Sequence, residues 1–494
     1  MISIRKTKTG SGKTAVQIVH YEHRKVVVDA HLGSAETAEE AKRLTEKAQD
    51  WIQKRAAQPA LFPPPPRRML DLETARFVRT THGFTYTVLS HVFTQCGFGT
   101  LPKLLTDLAL LRLVEPCSKL RSIELLARYF DVAWTPLTVY RNLPKLKAHK
   151  QDAEKHAVEC AKNLLRMDLS LVLYDVTTLY FETFKEDDEL RKRGFSKDRK
   201  EGQPQIVIGL LVTNDGFPVG YEVFEGNTFE GHTMLPALKA FTVTHKVETP
   251  TVVADAAMIS LENVKALTTE GYRYIVGARL ANGSADILAA VGAAKKEDGT
   301  LVRLETDRGD LLCAFSSVRY RKDKHEMDKQ LARAEQLIQK KIPGKKVKFV
   351  TGSAETYTLN EELKTKAETL LGWKGYYTNI PETTLSSAEV VAQYQRLWKV
   401  EQAFRMAKSD LETRPIFHYK EDSVRAHVLI CFVALCVGKY LEIKTGQSLR
   451  DVRDVLWSVA DAHVTDTKTG ENFVLRSEPS AGVKKLVEVV GLSY

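Results

Sequence analysis

Two apolar runs in this chain each lead into an aspartate, and an acid in that position limits the folds open to it. LVLYDVTT (Leu171–Thr178) places Asp175 after one run, and TPTVVADAAM (Thr249–Met258) places Asp255 after another. Short apolar runs of this kind predict buried strands. An ionised carboxylate inside such a strand would be an unpaired charge, so each Asp is expected where its strand ends. In a parallel or mixed α/β sheet those ends open into the crevice where ligands bind. Taken singly, either Asp is equally a helix cap or a turn residue.

A third acid sits in a helical run, YQRLWKVEQAFRMAKSDL (Tyr394–Leu411). At about 100° per residue, Tyr394, Glu401 and Lys408 nearly eclipse, and Leu397, Trp398, Phe404 and Arg405 complete the face. The periodicity predicts Glu401 on a mostly apolar stripe, with a tyrosine and a lysine about 10 Å to either side. A buried acid raises its pKa or finds a counter-ion, and a divalent metal shared with other carboxylates is one such partner. A surface pair between Glu401 and Arg405 at i,i+4 is the simpler alternative.

With 494 residues, 43% of them hydrophobic, there is enough chain for about three domains and a sizeable core. Lys and Arg number 72 against 62 Asp and Glu, a formal charge of +10 that favours a polyanionic partner. Cys96, Cys117, Cys160, Cys313, Cys431 and Cys436 have no zinc-type spacing, and their sparse use fits a reducing, cytoplasmic setting. MISIRKTKTGSG (Met1–Gly12) includes basic residues but no long apolar stretch, so no secretory signal is expected. HVLICFVALCV (His427–Val437) is too short to span a bilayer and predicts a buried helix, so no membrane partner is expected.

Ser3–Gly33 alternates in short runs around Gly10, Ser11 and Gly12, which predicts an antiparallel meander, with a helix following from Thr37 to Lys54. GSGKT (Gly10–Thr14) lacks a P-loop's first glycine, since Thr7 stands there, and reads as a hairpin. LFPPPPRR (Leu61–Arg68) reads as an extended polyproline spacer. The next hundred residues read as helical. Ser118–Leu146 breaks around Trp134–Thr138, either a helix-turn-helix with Arg121, Arg128, Arg141, Lys145 and Lys147 toward phosphate, or one arm of a bundle. Strands are expected at Ser170–Glu182, Gln205–Asn214, Pro218–Glu225 and Tyr272–Leu280, with helices at Met234–Phe241 and from Ser260. His232, His418 and His427 are read as capping or core residues and stay outside the site.

Asp175 is followed by Asp255 after 80 residues (255 − 175) and by Glu401 after 146 more (401 − 255). In that order and spacing the chain resembles the DDE transposases of bacterial insertion sequences, in the insertion sequence 4 superfamily. The Glu-bearing helix of that superfamily follows Y-x2-R-x3-E-x6-K. Tyr394, Glu401 and Lys408 match the pattern, whereas Leu397 takes the arginine position and Arg396 precedes it. Gly194–Val212, Gly216–Thr233 and Arg414–Leu435 are similar to the insertion sequence 1634 branch, and the likeness runs from Leu70 to Leu441.

The resemblance implies an α/β fold: a ribonuclease H-like catalytic domain interrupted by a β-rich insertion domain, with an N-terminal small β domain and a helical domain. The expected divisions are a small β/α domain at 1–57, a proline-rich linker at 58–69 and a helical region at 70–167. Catalytic segments follow at 168–280 and 366–445 around an insertion at 281–365, with a helical C-terminal region at 446–494. The charged helix of the insertion, Arg321–Lys341, is a solvated face or a grip on flanking DNA.

The resemblance further implies two Mg²⁺ ions per site, replaceable by Mn²⁺, with Asp175 bridging both and Asp255 and Glu401 each holding one. Expected DNA contacts are Tyr394, Arg396, Arg405 and Lys408 on the helix and Ser196 and Lys197 on the GFSKDRK loop (Gly194–Lys200), although a plain surface loop accounts for the latter pair equally well. The implied reaction cleaves the element's ends and joins their 3′-hydroxyls to target DNA, with a homodimer holding both ends. A nuclease without strand transfer and a non-catalytic DNA-binding relative are the alternatives.

Overall fold

The computed structural model describes residues 2–22, 25–56, 70–183, 185–186, 190–195, 202–258, 260–340, 347–352 and 356–492. The proline-rich linker, Ser196 and Lys197 lie outside the described residues. The chain falls into two compact units, Met1–Thr74 and Ala75–Tyr494.

In the first unit, β1 (Ile2–Lys8), β2 (Thr14–Glu22) and β3 (Lys25–Ala35) form an antiparallel meander, followed by α1 (Ala38–Ala56). Alternation explains the packing: Val16 and Ile18 of β2 are fully buried with Ala48 of α1, and Leu44 and Trp51 pack around them. GSGKT is the β1–β2 turn, closed by a Thr9 N–H donating to the Lys13 carbonyl at 2.8 Å, with Gly12 at φ 79°.

The second unit opens with β4 (Ala75–Thr81) and a run of helices: α2 (Gly83–Gln95), α3 (Lys103–Val114), α4 (Lys119–Phe130), α5 (Pro136–Asn142) and α6 (Lys150–Glu159). Then come β5 (Leu171–Tyr180), β6 (Gln205–Thr213), β7 (Pro218–Glu225), α7 (Met234–His245), β8 (Thr251–Ala254), α8 (Leu261–Thr269) and β9 (Arg273–Ala278). The stretch before Glu401 holds α9 (Ala285–Ala293), β10 (Leu301–Thr306), β11 (Gly309–Phe315), α10 (Ser317–Lys340), β12 (Val350–Thr351), β13 (Thr358–Leu359), α11 (Glu361–Thr369) and β14 (Trp373–Thr378). The remainder is α12 (Ser387–Gln395), α13 (Trp398–Arg405), α14 (Glu421–Thr445), α15 (Leu449–Trp457), β15 (Asp461–Asp466), β16 (Asn472–Arg476) and α16 (Ala481–Val489).

Eight strands form one mixed sheet in the order β10-β11-β14-β9-β8-β5-β6-β7. The pairs β5–β8 and β8–β9 are parallel and the others antiparallel. The fold is therefore mixed α/β, as expected, but two expectations change. The stretch at 281–365 does not stand apart as a β-rich domain, because β10 and β11 hydrogen-bond onto β14 and extend the main sheet. The C-terminal region is not wholly helical, because β15 and β16 pair with β4 in a second sheet. Both differences are long-range strand pairings, which local periodicity does not encode.

α14 is long and apolar enough to cross a membrane, yet most of that stretch is buried inside the protein, packed on α3, α6 and β7. Its all-round apolar surface follows from burial on every side. The break between α4 and α5 is tied to α3 by Trp134, whose indole N–H donates to buried Asp107 at 2.9 Å. Arg121 pairs with Glu124 at 2.9 Å, and Lys147 pairs with Asp422.

Candidate active site

Register across the sheet assembles the site. In the parallel pair β5–β8, Tyr174 lies opposite Ala254, and in β8–β9 Ala254 lies opposite Val276. One residue further along, Asp175, Asp255 and Gly277 occupy the next level, and the antiparallel β9–β14 pair adds Tyr376 opposite Gly277. Residues level with one another point to the same face, so the row reads Asp, Asp, Gly, Tyr across neighbours about 4.8 Å apart. β8 ends at Ala254, which puts Asp255 at a strand end as expected. Asp175 instead lies within β5, which continues to Tyr180 against β6; only the pairing with β8 stops beside it. It is half-buried and Asp255 is exposed.

Tyr394 fills the space over the glycine. Its hydroxyl donates to Asp255 Oδ1 at 3.1 Å, and its ring meets Tyr376 edge to face with centroids 4.8 Å apart. A Cβ on Gly277 would stand 2.6 Å from the Tyr394 hydroxyl, so this position needs glycine for space. Burial first, then the charge of Asp255, raises the phenol's pKa above its ordinary value and keeps it the protonated donor. The Asp255 Oδ1 also accepts the Ala256 N–H at 2.7 Å, and Asp175 Oδ1 accepts the Val176 N–H at 2.8 Å.

Glu401 reaches the site on α13, which packs against β5 and β6. The expected continuous helix is interrupted on both sides. At 396–397 the bonds tighten to i→i+3, with the Leu397 N–H donating to Tyr394 and the Val400 N–H to Leu397. After Arg405 a π-turn runs from Met406 to Asp410. The tighter turn shifts the helical phase, so the predicted stripe divides. Leu397, Val400 and Phe404 are buried, whereas Trp398, Glu401 and Arg405 are exposed. Glu401 is thus a rim residue rather than an acid on a buried stripe.

Asp255 and Glu401 line one cleft of about 690 Å³ together with Tyr394, Tyr376, Leu397, Trp398, Lys374 and Arg319. Lys374 Nζ lies 4.4 Å from the Tyr394 ring centroid. Burial and the neighbouring Arg319 lower the pKa of this lysine, while Asp255 and Glu401 act to raise it. Arg396 and Arg405 are exposed and do not line the cleft. Lys408 borders a separate small apolar cavity with Thr177 and Leu179, which share Asp175's face of β5. The π-turn carries it there, away from the Glu401 cleft.

Carboxylates are the hard oxygen donors a divalent ion such as Mg²⁺ takes, and the level pair Asp175 and Asp255 fits that need. Among the described residues, however, no three His, Cys, Asp or Glu side chains gather closely enough to hold one ion together. Mutual repulsion of three carboxylates opposes such a gathering without a cation. Lys374 was missed in the sequence. The signal available was a lysine sharing a strand face with Tyr376 in WKGYYT (Trp373–Thr378). His427 is buried, with Nε2 3.0 Å from the Thr413 carbonyl, as a core histidine would be.

The mixed α/β sheet thus carries two level aspartates beside a glutamate-bearing helix, oxygen donors of the kind a divalent metal takes. A model of the family described as the transposase DDE domain matches residues 166–437, more than half of the chain, and the chain belongs to that family. It is a transposase, of a family of metal-dependent polynucleotidyl transferases that generally use divalent metals such as Mg²⁺ and act on DNA. Among solved structures, a chain of the piggyBac transposase synaptic complex with hairpin DNA is similar at 11% identity and a TM-score of 0.35, covering 76% of this chain and 70% of that one. No curated protein matches the chain.

Proposed function

We propose that this transposase cleaves the ends of its own insertion sequence and joins the exposed 3′-hydroxyls to target DNA, with Asp175, Asp255 and Glu401 as its catalytic acids. The observation that carries the reading is the level placement of Asp175 and Asp255, with Asp255 and Glu401 lining one cleft. Asp175 and Asp255 would hold the divalent metal and Glu401 would complete its ligands. When bound, such ions activate the attacking oxygen and stabilise charge on the phosphate and the leaving oxygen. Tyr394 holds one oxygen of Asp255 and fixes its carboxylate plane. Leu397 and Trp398 wall the cleft beside Glu401.

The finer fold reading is a ribonuclease H-like catalytic domain, supported by the order of β5 to β9 and the helix that follows β14. The gene belongs, on this reading, to the 1634 branch of the insertion sequence 4 superfamily, and the protein works in the bacterial cytoplasm as a homodimer that brings two ends together. Arg396, Arg405, Lys408, Ser196 and Lys197 are its proposed DNA contacts, Lys408 from the flank of β5.

The test is a labelled duplex carrying the element's own ends, incubated with target DNA and Mg²⁺ or Mn²⁺ beside the Glu401→Gln protein. Metal-dependent joined products, absent with the variant, are expected. Cleavage without joining would leave a nuclease, and binding without cleavage under either metal would leave a DNA-binding protein.

A further inference from the structure

A cleft that presents Asp255 and Glu401 opposes a DNA phosphodiester, which is itself an anion, unless cations offset the repulsion. The helix that carries Glu401 brings none to this cleft: Leu397 and Trp398 line it, and Arg396, Arg405 and Lys408 do not. The cations that do line it come from elsewhere, Lys374 from β14 and Arg319 from α10.

Their environments differ. Arg319 Nε pairs with Asp323 at 3.2 Å and its side chain is 44% exposed. Lys374 Nζ has no hydrogen bond or ion pair with a described residue; it rests over the rings of Tyr394 and Tyr376, 4.4 and 5.8 Å from their centroids. A half-buried ammonium group braced by two aromatic rings has a fixed direction and keeps donors available. Strand alternation places Lys374 and Tyr376 on one face of β14, and Tyr376 is level with the aspartates. The ammonium group is therefore built into the sheet beside the acids.

We propose that Lys374, with Arg319 beside it, is the cation of this cleft that binds a DNA backbone phosphate, supplied by the sheet and α10 rather than by the Glu401 helix. The proposal rests on the reading of this cleft as the site of DNA cleavage. It also accounts for a leucine at 397: with Lys374 opposite, that position need only contribute apolar wall.

The experiment measures affinity for the labelled end duplex across salt concentrations, without metal, for the unaltered chain, Lys374→Gln, Lys374→Arg and the double variant Lys374→Gln with Leu397→Arg. One lost phosphate contact lowers the slope of log K against log salt by about 0.9. Lys374→Gln is expected to show that loss, Lys374→Arg to keep the slope, and Leu397→Arg to restore it by aiming a guanidinium into the same cleft. If Lys374→Gln fails to fold, Arg319→Gln and the single Leu397→Arg variant give the same readout as a loss and a gain. An unchanged slope in folded Lys374→Gln overturns the proposal. Cleavage is scored separately on the unaltered chain and Asp255→Asn: lost slope with no cleavage would sink the catalytic reading and keep the phosphate site, and active cleavage with an unchanged slope would do the reverse.

Discussion

At the residue scale the site depends on one missing side chain. Gly277 leaves the space through which Tyr394 reaches Asp255, and a methyl group there would meet the hydroxyl at 2.6 Å. Gly277→Ala should destabilise the fold by ~1–3 kcal/mol, as overpacking generally does. Because the atom met is the phenol oxygen, the same substitution made in Tyr394→Phe should cost measurably less, and equal costs in urea melts of both backgrounds would refute this account. Asp107 offers a second test. It is 1% exposed and accepts from Tyr86, Lys103 and Trp134 at 2.7–2.9 Å. Removing it deprives half-buried Tyr86 and Trp134 of an acceptor, while the ammonium group of Lys103, on a side chain 61% exposed, is left to solvent, so Asp107→Ala should cost ~1–3 kcal/mol in the same melts.

At the element scale, the packing of α4 against α3 buries a lysine, and no acid is among the groups that set its charge balance. Lys119 is 5% exposed, and burial together with Arg112 lowers its pKa to about 7. The unfolded chain holds that proton up to a pH of about 10.4, so between about 7 and 10.4 it binds more protons than the folded chain. Stability therefore rises with pH across that window, and the penalty is largest below it. Lys119→Met should stabilise the protein by ~3–5 kcal/mol at pH 7, a gain that shrinks toward pH 10. A gain independent of pH in thermal melts would rule out the charge as its cause. His418 works in the same direction at lower pH: burial and the same two cations bring its pKa to about 4, so stability falls as pH drops from 6.5 toward 4.

At the scale of the whole molecule, the two units have separate cores, one around Val16, Ile18 and Ala48 and the other centred on the large sheet and α14. Residues 75–494 expressed alone should melt cooperatively, as a unit with its own core does; loss of cooperativity would show that this core is incomplete. Divalent metal is the second lever here. Because no three acids are gathered among the described residues, Mg²⁺ that draws them together should raise the melting temperature, and Asp255→Asn should abolish the rise. An equal shift in the variant would place the ion elsewhere.

The acids of the proposed site were legible before the fold, since an aspartate after each of two apolar runs and a glutamate in a helical run are features of local pattern. Apolar runs and turn residues likewise marked the first meander, β5 to β9 and the buried α14, because alternation and helical periodicity are local consequences of which face is buried. What the sequence could not decide is everything that depends on partners distant in the chain. Register alone makes Asp175 and Asp255 level and sets Tyr376 beside Gly277. A tightened turn at 396–397 and a π-turn at 406–410 rotated Glu401 to the rim and sent Lys408 to another cavity, where an ideal helix would have kept both on one stripe. β10 and β11 joined the main sheet, and β15 and β16 found β4, through pairings that no short window contains. Residue type thus determined which groups are present, and tertiary packing, which satisfies backbone hydrogen bonds and buries apolar faces over the whole chain at once, determined which of them meet.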